Sequence, residues 1–553
     1  MSSRGGRVRP AAAACAAVAV IAGMLAWSAA PTSASTPRMT QKRFVRMVYR
    51  SPLDQMLSGS ARTAIRLILG IRRSGSDAPS TGSTPSESGV GRRALAAPAN
   101  VRVNDPSTDG AGNPDMTSQN EVSMAVSGSN VVAAYNDDGT SPQPSDTWLS
   151  PATNISGYSW SGDGGATWQD SQLPNAEPRI NLSDPVVVAD ASGRFFYADL
   201  SLQYSLGRVD VAVGRSDDGG QTFSPPRPVP EGPGFKFILA DKPWMTVGPD
   251  PSNPSGEILY VGWQQSYFVP RTGSVGTRIV VSASRDLGAT WSRPAILFSQ
   301  PFAGREGFGF VNGTALAVDP ATGRLYVAWE QLLDRPSAPG RYLLRHEWIT
   351  SSGDGGATFG KRRVAARVSA VGTLLPACGD VLRFGTGRLI RITDFPSLAV
   401  GPGGRVLLAF NSDGSTGVPG IRVARSGDRG RTWAVAAVAG PPMSFMPDIS
   451  ADATGVSVVY YQRASTHTIR TELATSPDGI AWTTQDLSDS AFTVPFTFPN
   501  FDPFPAPCYL GDYVASLRSG GATYGAWGDT RDTVTNAFWP QGRPDPDVYF
   551  AKS

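Results

Sequence analysis

The octapeptide Ser161-Gly162-Asp163-Gly164-Gly165-Ala166-Thr167-Trp168 returns four more times with its Ser, Asp, Gly, Thr and aromatic positions intact. The other copies are Ser216-Asp218-Gly220-Thr222-Phe223, Ser284-Asp286-Gly288-Thr290-Trp291, Ser352-Asp354-Gly356-Thr358-Phe359 and Ser426-Asp428-Gly430-Thr432-Trp433. A degenerate sixth, Ser476-Pro477-Asp478-Gly479 with Trp482, follows. The starts lie 55, 68, 68, 74 and 50 residues apart, so the repeating object is one supersecondary unit with insertions of variable length. Ser and Asp side chains bond back to nearby amides and Gly permits positive φ, which makes the box a tight turn. Its terminal aromatic is placed to fill the apolar layer between neighbouring sheets. Because these residues already have structural work, the box is read as a turn and not as a metal loop.

Ahead of each box stands an apolar strand, a short Gly/Pro/Asp turn and a second apolar strand. These pairs run from 121 to 135, 184 to 200, 244 to 263, 314 to 329, 396 to 410, 448 to 461 and 511 to 527, one more than the boxes. Each unit therefore supplies strands A and B, then C, the box and D, which describes a blade of an all-β propeller with four-stranded antiparallel blades. The last unit ends on a C-type strand, 547–551, and Asn100 to Asn104 is placed to fill its missing edge. Seven blades follow, or six if the last unit is an appendage.

The boxes resemble the Asp-box, or bacterial neuraminidase repeat, of the sialidase superfamily, across residues 121 to about 553. Gly511-Asp512-Tyr513 and Trp527-Gly528-Asp529-Thr530-Arg531 resemble secreted bacterial sialidase-like proteins. The resemblance implies a glycoside hydrolase acting on a glycan or glycoconjugate. Such enzymes use an arginine clamp for the substrate carboxylate, a tyrosine nucleophile assisted by a glutamate, and an aspartate acid/base. The superfamily also contains non-catalytic binding propellers, so a cell-envelope propeller that holds glycan or protein is the alternative. The family's Phe/Tyr-Arg-Ile-Pro motif is absent, and Gln119-Asn120-Glu121 stands at its place.

Propeller topology puts all boxes on one face and the long connections, 138–157, 300–313, 331–345, 369–394, 488–511 and 532–546, on the other, where function is expected. The A-strand starts ring that mouth with Glu121, Asp184, Asp241 and Lys242, Asn312, Asp394 and Asp512. By resemblance, Tyr513 is the candidate nucleophile with Asp512 or Asp529 as acidic helper. Arg179, Arg305 and Arg391 are candidates for the clamp, with Arg531, Asp184, Asp241, Lys242 and Asp394 as further substrate contacts. Planar guanidinium groups pair bidentately with carboxylates, which is the physical reason for a clamp. Phe492, Phe496, Phe498, Phe501 and Phe504 offer a stacking wall, a lid or simply buried rings.

The remaining features concern export and attachment. Arg4, Arg7 and Arg9 precede an apolar run from Ala11 to Ala30 and a small-residue cleavage signal, so 1–34 reads as a signal peptide, with an uncleaved membrane anchor as the alternative, and the protein as secreted or held at the cell envelope. Residues 35–73 form a basic arm with helical pieces near 44–49 and 64–71, suited to an anionic membrane or wall polymer, or else to a solvated or removed pro-segment. Residues 74–99 read as a flexible linker into a propeller at 100–553. Residues 1–99 hold 14 Lys/Arg and 3 Asp/Glu, leaving 35 basic and 43 acidic side chains beyond them, which argues against a nucleic-acid partner despite the overall net charge of +3. With two histidines, His346 and His467, no metal or other cofactor is expected, and a monomer is. Cys378 and Cys508, an even pair once Cys15 leaves with the signal, are expected to form a disulfide.

Overall fold

A computed structural model describes residues 40–51, 54, 57–70, 97–108, 117–137, 154–203, 205–232, 238–269, 274–304, 307–334, 344–369, 371–375, 378–385, 388–412, 418–438, 443–494, 508–535 and 540–553. The protein is nearly all β, built of four-stranded antiparallel sheets. Gln119–Ser127, Asn130–Asp137, Ser156–Ser161 and Gln169–Gln172 make the first, and the sheets at 397–437 and 444–486 repeat the pattern. A nine-stranded sheet contains two such meanders, 186–228 and 238–301, joined by one parallel pairing of Leu239 with Val209. The sheet at 303–368 adds a short strand to the same plan. In the last, Ala515–Ser519, Ala522–Val534 and Arg543–Lys552 are completed by Val101–Arg102, which pairs Val101 with Phe550 and Arg102 with Tyr549.

Strands such as Asn130–Asp137 are buried along nearly their whole length because each sheet is covered on both faces by its neighbours. The innermost strands touch in sequence order: Gln119–Ser127 meets Val186–Ala189, which meets Ile238–Asp250, then Gly307–Val318, Ser397–Gly401, Ser444–Asp452 and Ala515–Ser519, and the last meets the first again. Box aromatics fill the layers between sheets. Trp168 packs edge-on against Phe550 at 5.3 Å, and Phe223 against Tyr158 at 5.0 Å.

Within a box the Asp side chain organises the turn. Asp163 accepts the Thr167 amide at 2.9 Å and its hydroxyl at 2.6 Å, while the Ser161 hydroxyl donates to Asp163 and accepts the Gly165 amide. The other four intact boxes repeat this set. Gly165 sits at φ +96°, and a Cβ there would lie 2.3 Å from Phe550, so the position demands glycine on both conformation and space. Gly164 donates to the Ser129 carbonyl in the turn between the first two strands, which puts box and turn at one end of the sheet and Glu121 at the other.

Two additions sit off the sheets. Residues 373–391 form a small three-stranded sheet, tied to residue 508 by the predicted Cys378–Cys508 disulfide. The basic arm forms two helices, α1 (Gln41–Tyr49, with the Thr40 side chain capping the Arg43 amide) and α2 (Gly59–Leu69). Phe44, Val45, Val48, Leu57, Ala61, Ala64 and Ile65 are fully buried and share one apolar cluster with Ile180, Leu182, Leu200, Leu202 and Leu239. Lys42, Arg46 and Arg50 face solvent. The arm's apolar side is thus occupied by the sheets themselves.

Candidate functional site

A backbone irregularity recurs where the inner strands begin. Register slips by a residue between Asn120 and Ser123, Asp241 and Trp244, Asn312 and Ala315, and Phe445 and Asp448. At these bulges Glu121, Lys242 and Met446 have φ of 55°, 46° and 52°, Gly313 has 62°, and Asp184 at the start of its own strand has 55°. Each non-glycine residue there costs roughly 1–2 kcal/mol, and such conformations gather at functional sites. A bulge re-aims a side chain, and here it turns acids and a lysine toward one another.

There Lys242 Nζ lies 2.5 Å from Glu121 Oε1, 3.0 Å from Asp512 Oδ2 and 3.6 Å from Asp184 Oδ1, all essentially buried. Arg391 grips Asp512 with two bonds, Nε to Oδ1 at 2.8 Å and Nη2 to Oδ2 at 3.1 Å. Tyr509 donates its hydroxyl to Glu121, and the Arg391 guanidinium stands over the Tyr509 ring at 5.5 Å. The Arg391 amide donates to the Cys508 carbonyl at 2.7 Å, so the disulfide lies directly behind Arg391 and Tyr509.

The electrostatics follow from burial and neighbours. Burial pushes the Glu121 carboxyl well above its usual range and raises Asp184. It also pushes Asp241 up to about 6. Burial works the same way on Asp512, but Arg391 and Lys242 outweigh it and hold that carboxyl below the usual range. Lys242 and Arg391 are disfavoured by burial, yet the surrounding carboxylates raise both. The phenol of Tyr509 is pushed well up, first by burial and then by Asp512 and Glu121.

Of the residues singled out from sequence, Asp184, Asp241, Lys242, Asp512 and Arg391 come together. Tyr513 lies beside them with Lys242 5.0 Å above its ring and Trp244 edge-on at 5.7 Å; its hydroxyl donates to the Pro185 carbonyl at 3.0 Å, and burial together with the nearby Glu121 and Asp184 pushes its phenol well up. Arg179 is spent on Asp210 at 2.6 Å and Gln203 within its own sheet, so it shares no partner with Arg391. Arg531 and Asp529 pair with each other, and Arg531 also binds Asp489 and Asn100 and covers the Tyr549 ring at 4.1 Å, a network at the outer edge of the last sheet. Asp394 belongs to a neighbouring buried group in which Arg345 meets Asp394, Asp380 and Glu330. Phe492 is buried against Tyr461. Arg305, Phe496, Phe498, Phe501 and Phe504 lie outside the described residues.

Sequence reasoning misses Tyr509 and Arg345 because each follows a loop with no repeat signal. For Tyr509 one cue exists, its place next to the disulfide cysteine. Among the described residues, no group of three or more His, Cys, Asp or Glu is arranged to hold a metal ion. A cavity of about 40 Å³, room for a few waters, is lined by Lys242, Trp244, Phe395, Asp448, Asp512 and Tyr513.

No family model and no curated protein matches the chain. Solved structures that resemble it include a Hadza microbial sialidase, 14% identical over 72% of this chain and 73% of that one, with a TM-score of 0.36. Another is the endosialidase of phage phi92, at 10%, 83%, 69% and 0.41. A third is an α-L-arabinofuranosidase from Fusarium graminearum, at 12%, 84%, 98% and 0.40. Likeness at this level assigns no residue a role.

Proposed function

We propose that the chain is a closed seven-bladed propeller acting on glycans at the face opposite the boxes, as a glycoside hydrolase with Tyr509 as nucleophile and Glu121 as its base. The cyclic contact of the inner strands and the pairing of Val101–Arg102 with the last sheet support seven blades and their closure. The observation that carries the chemistry is the Tyr509–Glu121 hydrogen bond beneath the Arg391 guanidinium. A phenol is a weak nucleophile until a base takes its proton, and Glu121, which accepts the Tyr509 hydroxyl and has the Lys242 ammonium 2.5 Å away to favour its ionised form, is the carboxylate placed to take it. Arg391 stabilises the phenolate that results. Asp241, near 6, is suited to give and take a proton at the leaving oxygen. Asp512, locked in its ionised form by Arg391 and Lys242, positions the cations.

Export through the leader at 1–34, action outside the cell or at its envelope, and a monomeric state belong to the same proposal. Turnover of a panel of fluorogenic glycosides, sialosides included, by the chain before and after cleavage between residues 70 and 97 is the test. Tyr509→Phe abolishes turnover and retains binding, whereas Tyr513→Phe changes turnover less than tenfold. If no glycoside is turned over in either form but glycans bind, the non-catalytic propeller is the correct reading.

A further inference from the structure

The arm covers the charged centre, and it does so with matching chemistry. Where the chain passes from α1 to α2, the Leu57 carbonyl accepts a bond from Arg391 Nη2 at 3.0 Å. The Ser58 amide donates to Asp241 at 3.2 and 3.4 Å, and Ser60 lies close enough to Asp184 to favour its charged form. Leu57, Ser58 and Ser60 are themselves buried, so the contact excludes water. The far end of the arm is anchored separately, by Gln41 Nε2 on the Gly207 and Ile238 carbonyls at 3.0 and 3.2 Å and by Ile68 against Gly207.

We infer that the arm, through Leu57, Ser58 and Ser60, is an intramolecular occupant of the substrate site, which must leave before ligand binds, and that the groups these residues present define that ligand. Arg391 is offered an acceptor oxygen, while Asp241 and Asp184 are offered N–H and O–H donors. A sugar that carries an acceptor oxygen flanked by hydroxyls supplies the same set. The ligand class, which rests on the proposed glycan function, is therefore a hydroxyl-rich saccharide with a carbonyl or carboxylate oxygen at Arg391. The segment between residues 70 and 97 keeps the arm at high local concentration, so the uncut chain binds ligand with an affinity reduced by the small fraction of open molecules. A cut between 70 and 97 makes the arm a separate peptide that dilution removes.

Two perturbations test this in the full chain. Val48→Asp places a charge in the apolar contact of α1, away from Arg391 and Asp241, and a specific protease site inserted after Ser86 separates the arm from an already folded protein. The probe is an array of neutral and acidic glycans, and amide exchange of residues 57–62 reports whether the arm is seated. The expected result is slow exchange and weak binding in the uncut wild type, fast exchange and at least tenfold stronger binding after either perturbation, and reversal when a synthetic peptide of residues 40–69 is added in excess. Equal binding by seated and displaced forms overturns the occlusion and leaves the glycan function standing. Displacement of the arm with no glycan bound by any form overturns the glycan reading, and the mimicry with it. If Val48→Asp does not fold, the cut protein alone distinguishes the same results.

Discussion

Replacing Lys242 by Met removes the cation that Glu121, Asp512 and Asp184 share at 2.5, 3.0 and 3.6 Å. At an effective dielectric of about 20, a unit pair roughly 3 Å apart attracts by about 5 kcal/mol. Desolvation of several kcal/mol per ion opposes that attraction, and breaking one side of such a buried pair costs about 3–5 kcal/mol. Unfolding entropy of roughly 2 cal/mol/K per residue, summed over about 450 residues, turns this into a Tm fall of about 3–5 °C. The loss depends on pH. Glu121 and Asp184 already have raised carboxyls, and without Lys242 they rise further and take up protons. A group whose folded pKa exceeds its unfolded value gives stability at low pH that is lost as pH rises through the folded pKa, so the deficit of the variant shrinks toward pH 5 and grows toward pH 8. Calorimetry of wild type, Lys242→Met, Glu121→Gln and the double variant at both pH values measures it, with a coupling of at least about 1.5 kcal/mol expected between the two positions. A deficit below about 1 kcal/mol that does not change with pH would refute the assignment of Lys242 as the shared counter-ion.

Asp286→Ala in the third box removes acceptors for the Thr290 amide and hydroxyl and the Ser284 hydroxyl, and lowers stability by about 1–2 kcal/mol in denaturant titration while glycan binding at the far face is unchanged. Cys378→Ser with Cys508→Ser opens a link across 130 residues and costs up to about 5 kcal/mol on the chain-entropy estimate, seen as a lower midpoint in urea. It also weakens ligand binding, because the bond stands behind Arg391 and Tyr509. Burial raises Asp448 to about 7, Asp545 to about 6 and Asp547 to about 8, so the stability these carboxyls contribute is present below about pH 4 and lost as pH climbs to about 8. Thermal melts of Asp448→Asn lose part of that slope.

The boxes are legible in sequence because their turn depends on bonds within eight consecutive residues, and part of the ring of acids is legible because the first three repeats and the last bring Glu121, Asp184, Asp241 and Asp512 to one place, whereas Asp394 turns to Arg345 instead. Tyr509 is not legible, since its partner Glu121 lies at the other end of the sheet region and no periodicity links them. The arm shows a more general limit. Phe44, Val45 and Val48 with exposed Lys42 and Arg46 make an amphipathic helix whose pattern is the same whether its apolar side meets lipid or protein, and only the cluster with Ile180 and Leu239 tells the two apart. Arg179 reads as a clamp residue because a loop arginine near an acidic mouth has no visible partner in sequence, whereas Asp210 supplies one across the sheet.

Glycan-array binding by the chain cut after Ser86 and freed of its arm, compared with the same protein carrying Asp184→Asn and Asp241→Asn, probes the assignment of the charged centre most directly. The predicted result is a defined set of hydroxyl-rich glycans bound by the parent and at least tenfold weaker binding by the double variant. Binding of the same set with the same strength by both would contradict it.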